Sequence, residues 1–364
     1  MKVVTSAVTH VSSEDILHRG YSFKQLLETT MIDEGYYLFI YGVLPTRSEY
    51  VAFKKKLHQM RILPYEIKTV LKVLPRTTMG TDLLRTVISV MGSLEPESPE
   101  NPATEVACRL LAMMSPSMAF WFNFHERKIE INTQTLDTDT TTENFLKLYF
   151  QTEVVDPLKL ETLETYQYSY INYAMSASNF AVRVSASTVQ DIQSSIVAGM
   201  TSVTGEIHGG AIQAIFKMVK KMKSTEEMEQ HIMGKLKRKE VVYGCGHRDL
   251  KNGDPRVIKF MKMSNLLNEQ PGTDKLFFAN LKKVEEVMKR EKNIVPNSDL
   301  FSINLVYQIG IDETLFLGLV MSGRITGLYA VAMEQRTLKK LIAPSQEWIG
   351  PIHSRVPTFE EREN

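Results

Sequence analysis

The chain has 364 residues, of which 43% are hydrophobic and 23% charged, and its formal net charge is +1. This composition is typical of a soluble globular protein, and the length is sufficient for more than one domain. A net charge near zero gives no indication of nucleic-acid or membrane-surface binding. The two cysteines form no disulfide framework and indicate a reducing compartment. No apolar run reaches the roughly 18 residues of a membrane span. Because the N-terminus also lacks the apolar core of a signal peptide, we expect a cytoplasmic protein.

The charge is distributed unevenly along the chain. Residues 209–308 contain 15 Lys and 4 Arg against 12 Asp and Glu, a net charge of +7, so the remainder carries about −6. A basic segment of this kind fits a phosphorylated ligand, although solvated helix faces also account for much of such an excess.

The hydrophobic pattern predicts a mostly α fold. Short strands are predicted near the N-terminus, and apolar residues then recur at helical spacing along most of the chain. A loop over 127–142, rich in Thr, Asp and Asn, is expected to be solvated. Glycines 205, 209 and 210 and the loop 293–298 are candidate hinges between a large and a small lobe. The predicted helices cover residues 32–41, 47–60, 64–73, 81–91, 104–114, 142–151, 160–175, 184–200, 211–222, 255–267, 274–289 and 315–335.

One stretch has the residues of an anion-binding loop: Gly244-Cys245-Gly246-His247-Arg248. The two glycines allow a tight turn that exposes backbone N–H groups to a ligand. Lys251 and Arg256 follow, so one titratable nitrogen and two cations surround a small space. This suits a substrate whose carbonyl is polarised while its carboxylates are held. A helix-connecting glycine turn with solvated basic residues is the equally plausible structural interpretation. Cys245 is interpreted as the small residue of the turn, not as a nucleophile.

Three further residues are candidates for chemistry. His208 lies at a glycine-rich helix break, Gly205-Glu206-Ile207-His208-Gly209-Gly210-Ala211, or else caps the following helix. Asp299 lies among apolar residues, where desolvation makes a carboxylate more basic, although N-capping is the commoner role of Asp after Pro-Asn-Ser. Arg324 lies inside an apolar helix, which is costly unless an anion meets it. The other six histidines have polar or surface-like contexts and are expected to be structural or solvated, and no histidine or cysteine has the spacing of a metal site.

Taken together, these motifs resemble the citrate synthase family. The resemblance keeps its order over nearly the whole chain, and its motifs are specific. They are Arg19-Gly20-Tyr21, Tyr41-Gly42 before Leu44-Pro45-Thr46, Ala177-Ser178 through Arg183, His208-Gly209-Gly210-Ala211, Gly244 to Arg256 with Asp254-Pro255-Arg256 at its end, Pro296-Asn297-Ser298-Asp299-Leu300-Phe301, and Glu334-Gln335.

The resemblance implies a two-domain, nearly all-α homodimer with a cleft between its lobes. The large domain would contain residues 1–208 and 309–364, and the small domain residues 209–308. It also implies condensation of acetyl-CoA with oxaloacetate through an enolate, with CoA released. Acetyl-CoA would be a cosubstrate, and no permanently bound cofactor or metal is expected.

The resemblance further implies roles for individual residues. Asp299 would remove a proton from the thioester methyl group, and His208 would donate a hydrogen bond to the enol oxygen. His247 would polarise the acceptor ketone, while Arg256 and Arg324 would bind its carboxylates.

For the second substrate, the backbone of Gly244, Cys245 and Gly246 would contact the adenine end of CoA. Lys251 would reach its phosphates.

The chain departs from the family at the acceptor pocket. Tyr173 stands where a substrate-binding histidine is expected, and Ser345, in Ala343-Pro344-Ser345, where the family has the second arginine of Arg-Pro-Arg. Gly323 and Leu328 replace a usual serine and tryptophan. Three hypotheses therefore stay open: condensation of acetyl-CoA with oxaloacetate, the same chemistry with another acyl-CoA or 2-oxo acid, and a non-catalytic CoA-binding protein. In the second case Tyr173 would contact a neutral or smaller substituent.

Overall fold

The computed structural model describes residues 4–12, 15–250, 253–359 and 361–362. Within them the fold is almost entirely helical, as predicted. A small antiparallel sheet, β1 (Thr9–Val11), β2 (Ile16–His18) and β3 (Tyr21–Ser22), precedes the helices. The helices are α1 (Phe23–Thr29), α2 (Ile32–Tyr41), α3 (Arg47–Gln59), α4 (Tyr65–Val73), α5 (Gly80–Leu94), α6 (Ala103–Phe122), α7 (Thr141–Phe150), α8 (Pro157–Tyr168), α9 (Ala177–Ser187), α10 (Ile192–Val203), α11 (Gly210–Lys221), α12 (Thr225–Lys237), α13 (Pro255–Asn268), α14 (Lys275–Lys292), α15 (Ser298–Gln308) and α16 (Phe316–Leu338).

Several helix ends follow from local sequence signals. Gly42 ends α2 in the left-handed conformation, with φ +87°, which glycine adopts without steric cost. Thr46 caps α3 in a reciprocal arrangement: its hydroxyl accepts from the Glu49 N–H at 3.3 Å, and its own N–H donates to the Glu49 carboxylate at 2.8 Å. This capping box satisfies two of the free N–H groups at the helix start. The predicted helices 32–41 and 47–60 are therefore confirmed.

Helix α16 forms the centre of the fold. It packs against α2, α5, α6, α8, α9 and α10. The segment Glu313–Leu338 is long and apolar enough to cross a membrane, which corrects our expectation that no such run exists. Its apolar window is, however, wholly buried within the protein, as in the core helix of a soluble protein.

Three predicted helices differ clearly from the observed ones. The helix predicted over 104–114 is α6, which continues to Phe122. The helix predicted over 160–175 ends at Tyr168, because the following backbone is held by tertiary contacts: Arg324 donates to the Tyr170 carbonyl at 3.1 Å and Asn179 to the Tyr173 carbonyl at 2.8 Å. The helix predicted over 184–200 is two helices, α9 and α10. They are separated where Val189 has φ +64°, and α10 restarts at its N-cap Asp191.

The segment 127–142 is less solvated than predicted. Asp139 and Thr133 in it are buried. Asp139 forms an ion pair with Lys147 at 2.8 Å, and its carbonyl accepts from Arg61 at 3.0 Å. Asp139 and Thr133 are buried with hydrogen-bond or ion-pair partners, which composition alone cannot reveal.

His18 is also in a different environment from the one its sequence context indicated. Its side chain is buried, with Nδ1 3.1 Å from the Thr9 hydroxyl. Burial, and secondarily the charge of Arg256, lowers the pKa of His18 to about 3. The residue is structural and neutral, not a surface histidine.

Helices α11 to α15 pack on one another and also contact α8 and α16. The cleft described below lies at this contact. The division of the chain into residues 1–208 with 309–364 and residues 209–308 stays a prediction.

Candidate active site

A single cleft of about 500 Å³ contains most of the predicted site residues. His208, from the break between α10 and α11, and Asp299, from the start of α15, both line it. His247 joins them from the loop before α13. Tyr173, Arg256 and Arg324 complete the predicted set that the structure brings together.

The ring of His247 is held in one tautomer. Its Nδ1 accepts hydrogen bonds from the backbone N–H groups of Asp249 and Leu250 at 3.0 and 3.1 Å. A nitrogen that accepts two hydrogen bonds carries no proton, so the proton of the neutral ring lies on Nε2. Burial, followed by the charge of Arg256, lowers the pKa of His247. His247 is therefore a neutral hydrogen-bond donor at neutral pH.

His208 is neutral for a similar reason. Its backbone N–H donates to the Gly205 carbonyl at 2.9 Å, which continues the turn between α10 and α11. Its Nε2 lies 3.2 Å from the Ser178 hydroxyl. Burial and the neighbouring Arg324 lower the pKa of His208 to about 4. Such a ring can donate a hydrogen bond without carrying charge.

Asp299 does not cap its helix. Asn297 is the N-cap of α15, because its side chain accepts from the Asp299 N–H at 3.0 Å. The Asp299 carboxylate accepts instead from the Tyr170 hydroxyl at 3.1 Å. Burial raises the pKa of Asp299, and the charge of Arg256 and this hydrogen bond oppose the rise. The residue has the properties of a general base.

The glycine turn ties the His247 loop to the start of α15. Gly244 and Gly246 have φ of +87° and +80°, and a side chain at position 244 would lie 2.9 Å from Leu300. The Gly246 N–H donates to the Val295 carbonyl at 2.8 Å, and the Asn297 N–H donates to the Gly244 carbonyl at 2.9 Å. The turn therefore sets His247 relative to Asp299.

These bonds bear on the predicted contacts with CoA. Gly244, Cys245 and Gly246 are not among the residues lining the cleft, and the Gly246 N–H is already hydrogen-bonded. Burial raises the pKa of the Cys245 thiol to about 12, which fits a small residue of the turn. Lys251 lies outside the described residues.

Arg324 is a buried cation without a counterion among the described residues. Its guanidinium donates to the Tyr170 carbonyl at 3.1 Å and to the Ser176 and Ser178 hydroxyls at 3.0 and 3.1 Å. Among the residues that the structure describes, no carboxylate oxygen lies within 4.0 Å of the Arg324 guanidinium, and its Nε has no hydrogen-bond partner. Burial, with the charge of Arg256, lowers its pKa to about 10.

Arg256 is in the opposite situation. Its guanidinium binds Asp254 through two hydrogen bonds of 2.9 and 2.7 Å, and the Tyr170 and Tyr173 rings lie 5.4 and 5.3 Å away. Burial alone would lower the pKa of Arg256, but the Asp254 carboxylate raises it overall. Asp254 also accepts from the Ser298 N–H at 3.1 Å, so it joins the start of α13 to the start of α15.

Tyr173 forms one wall of the cleft. It lies in the loop between α8 and α9, with its ring 5.3 Å from that of His247 in an edge-to-face contact. Its hydroxyl donates to the Asp249 carboxylate at 3.4 Å, and Asp249 pairs with Arg248 at 3.2 Å. Ser345 lies in the exposed C-terminal tail and is not among the lining residues.

Four functional side chains were missed in the sequence. Asp254 before a proline reads as a helix N-cap, which it is, and nothing in the pattern shows that it also binds Arg256. Ser176 and Ser178 were visible only as small residues next to a predicted substrate position. Tyr170 had no signal, since it was assigned to a helix.

Among the described residues, no group of three or more His, Cys, Asp or Glu could hold a metal ion.

Comparisons with known proteins cover nearly the whole chain. The family model described as "Citrate synthase, C-terminal domain" matches residues 1–345. The 2-methylcitrate synthase of Shewanella oneidensis is 33% identical over 97% of this chain and 93% of its own length. Citrate synthase 2 of Bacillus subtilis is 30% identical over 98% and 96% of the two chains.

Solved structures are similar over the same length. The citrate synthase of Thermotoga maritima superimposes with a TM-score of 0.88 at 29% identity, covering 100% of this chain and 98% of that one. The citrate synthase of Thermoplasma acidophilum, solved as a ternary complex with carboxymethyl coenzyme A and oxaloacetate, has a TM-score of 0.92. Its identity is 22%, with coverage of 99% and 97%, so this likeness bears on the fold alone.

Proposed function

The chain belongs to the citrate synthase family, and from this premise we propose that it condenses an acyl-CoA with oxaloacetate or a related 2-oxo acid and releases CoA. The observation that carries the proposal is that Asp299, His208 and His247 line one cleft. Acyl-CoA is a cosubstrate in this reaction, which uses no permanently bound cofactor.

The first step is removal of an α-proton from the thioester. This proton is very weakly acidic, so deprotonation needs a base and a hydrogen-bond donor at the developing enolate oxygen together. Asp299, whose pKa is raised by burial, is the base. His208, neutral with its pKa lowered to about 4, is the donor.

The second step is attack of the enol carbon on the acceptor ketone. The Nε2–H of His247 faces the acceptor and stabilises the negative charge that develops on the ketone oxygen, because backbone N–H groups occupy its Nδ1. Water then hydrolyses the new thioester, and the thiol of CoA leaves. Arg324 binds an acceptor carboxylate, and a role for Arg256 in binding the other stays a prediction.

Three further predictions belong to this proposal. Residues 209–308 would close over the cleft to exclude water, which prevents hydrolysis of the acyl-CoA before condensation. Gly244 to Gly246 and Lys251 would bind CoA. A homodimer is supported by exposed apolar side chains in the C-terminal tail, among them Trp348 and Ile349. The cytoplasmic location expected from the sequence also stays a prediction.

The test is thiol release from acetyl-CoA, followed with and without oxaloacetate and other 2-oxo acids. We expect release only when an acceptor is present, and a loss of about 10²- to 10⁴-fold in Asp299→Asn, the range typical of a general base. Calorimetry with CoA checks that the variant still binds its cosubstrate. Release that is unaffected by Asp299→Asn would refute the mechanism, and CoA binding without turnover on any pair would favour a non-catalytic protein.

A further inference from the structure

We infer that Val320, on the face of α16 that lines the cleft, sets the size of the acyl group, and that the surface around it accepts an acyl group one carbon longer than acetyl. The inference rests on the proposed condensation and concerns its acyl donor. It follows from apolar side chains next to His208 that have no part in the proposed steps.

Buried aliphatic side chains line the cleft around His208. They come from the end of α10, the start of α11 and the first two turns of α16, and each is between 2% and 6% exposed. Such side chains can neither donate nor accept a hydrogen bond, so this surface favours an apolar part of a substrate. The residues are Val203, Ile212, Leu317 and Val320, and together they are called the acyl wall.

His208 lies alongside α16, as contacts at both ends of this stretch of the helix indicate. At one end, the Ser178 hydroxyl lies 3.2 Å from His208 Nε2 and accepts from Arg324 at 3.1 Å. At the other end, a Cβ added at Gly209 would lie 3.0 Å from the Cδ1 atom of Leu317. His208 and the residue after it therefore extend along α16 from Arg324 to Leu317.

Val320 lies between these two contacts. Leu317, Val320 and Arg324 are spaced three and four residues apart, so they project from one face of α16. From the helical rise, Val320 is about 6 Å along the axis from Arg324 and about 4.5 Å from Leu317. It is therefore at the level of His208. Because valine is shorter than leucine, the helix leaves more space in the cleft at this position.

The proposed roles of His208 and Asp299 bring the acyl group to this wall. His208 donates to the thioester oxygen and Asp299 removes a proton from the adjacent carbon, so this carbon lies between the two side chains. The acceptor lies on the side of Arg324 and His247. A further substituent on the carbon is then directed toward the acyl wall. In propionyl-CoA this substituent is a methyl group, and its burial against aliphatic side chains is favourable.

The first test compares acyl donors in the wild-type protein. Thiol release is measured with oxaloacetate as the acceptor and with acetyl-, propionyl- or butyryl-CoA as the donor. We expect kcat/KM for propionyl-CoA to be within tenfold of that for acetyl-CoA, or above it. A value more than tenfold lower would overturn the inference and leave the condensation intact, since acetyl-CoA would still react. No thiol release from any of the three, with oxaloacetate or other 2-oxo acids, would refute both.

Val320→Ile and Val320→Ala test the assigned residue in opposite directions. The added carbon of isoleucine would occupy the space of the propionyl methyl group. The propionyl-CoA to acetyl-CoA ratio of kcat/KM should therefore fall by about tenfold or more, the discrimination typical of one methylene in an apolar pocket. Alanine enlarges the space, so the butyryl-CoA to acetyl-CoA ratio should rise by a similar factor. Each ratio cancels any general loss of activity.

Val331→Ile and Val331→Ala are the matched controls. Val331 is also in α16 and is 2% exposed, but it is not among the residues that line the cleft, so both ratios should stay unchanged. Unchanged ratios in the folded Val320 variants would overturn the inference. Should those variants fail to fold, the comparison of donors in the wild-type protein decides alone.

Discussion

The two sides of the cleft are built on different principles. On the side of His208, His247 and Asp299, burial is the largest cause of the pKa shift of each group, and we expect all three to act in proton transfer or polarisation. On the side of Arg256 and Tyr173, most charges are cancelled by residues of the chain itself. We expect the first arrangement to serve any enolisable thioester and the second to contact the acceptor. Substitutions on the two sides should then affect the chemical step and acceptor binding separately.

The largest expected effect is on the chemical side, in His247→Asn. The substitution removes the Nε2–H that we assign to the acceptor oxygen, and loss of one such donor typically costs about 10² to 10³ in kcat. We expect this loss with every acceptor of the thiol-release assay, because polarisation of the ketone is common to them all. His353→Asn, in the exposed tail, is the matched control. A loss confined to oxaloacetate would place His247 among the specificity residues and contradict the separation.

An intermediate effect is expected where α16 meets the loop that carries Tyr170 and Tyr173. A Cβ added at Gly327 would lie 2.1 Å from the Ile171 carbonyl oxygen, so Gly327→Ala must displace this loop. Overpacking of this kind costs about 1 to 3 kcal/mol, which thermal or denaturant unfolding would measure. We also expect a higher KM for the acceptor.

The control is Gly234→Ala in α12, where the nearest atom is the flexible end of Arg238 at 3.3 Å. This substitution should stabilise the helix slightly or have no effect, since alanine is the better helix former. A Gly327→Ala protein as stable as the wild type would mean that the loop is not fixed by α16, and the wall at Tyr173 would lose its rigid basis.

The helices could be predicted from the sequence wherever their ends have local causes. The end of α2 at Gly42 and the start of α3 after Thr46 were predicted correctly. The end of α8 at Tyr168 was missed because no glycine or proline marks it. The split between α9 and α10 depends on a left-handed Val189, a conformation that sequence rarely signals. At the end of α8, tertiary contacts overrode the local pattern.

The site shows the same contrast. His208, His247 and Asp299 are in motifs, and the structure places them around one cleft. That Asp254 neutralises Arg256, and that Asp249 engages Tyr173, depends on side-chain directions that motif spacing does not specify. The charges of the residues were visible in the sequence, but their pairing was not.

The smallest effect is expected in Tyr170→Phe, which probes the boundary between the two sides. Tyr170 donates to the Asp299 carboxylate at 3.1 Å, and this bond favours the charged form. Burial raises the pKa of Asp299 above its usual value, and the Tyr170 bond is one of the two influences that lower it. Removing the hydroxyl should therefore raise the pKa of Asp299 further, because the charged carboxylate loses a hydrogen bond that favours it.

The sign of the change follows from the form that acts as the base. Only ionised Asp299 can accept the proton, so activity falls as the pH drops through its pKa, and in Tyr170→Phe this acid limb of kcat should move to higher pH. His208, with a pKa of about 4, stays neutral through most of this range. Tyr166→Phe removes a neighbouring buried hydroxyl that donates to the Phe316 carbonyl at 3.0 Å, so it should reduce stability and leave the pH profile in place. An acid limb that does not move in Tyr170→Phe would mean that Asp299 is not the titrating base.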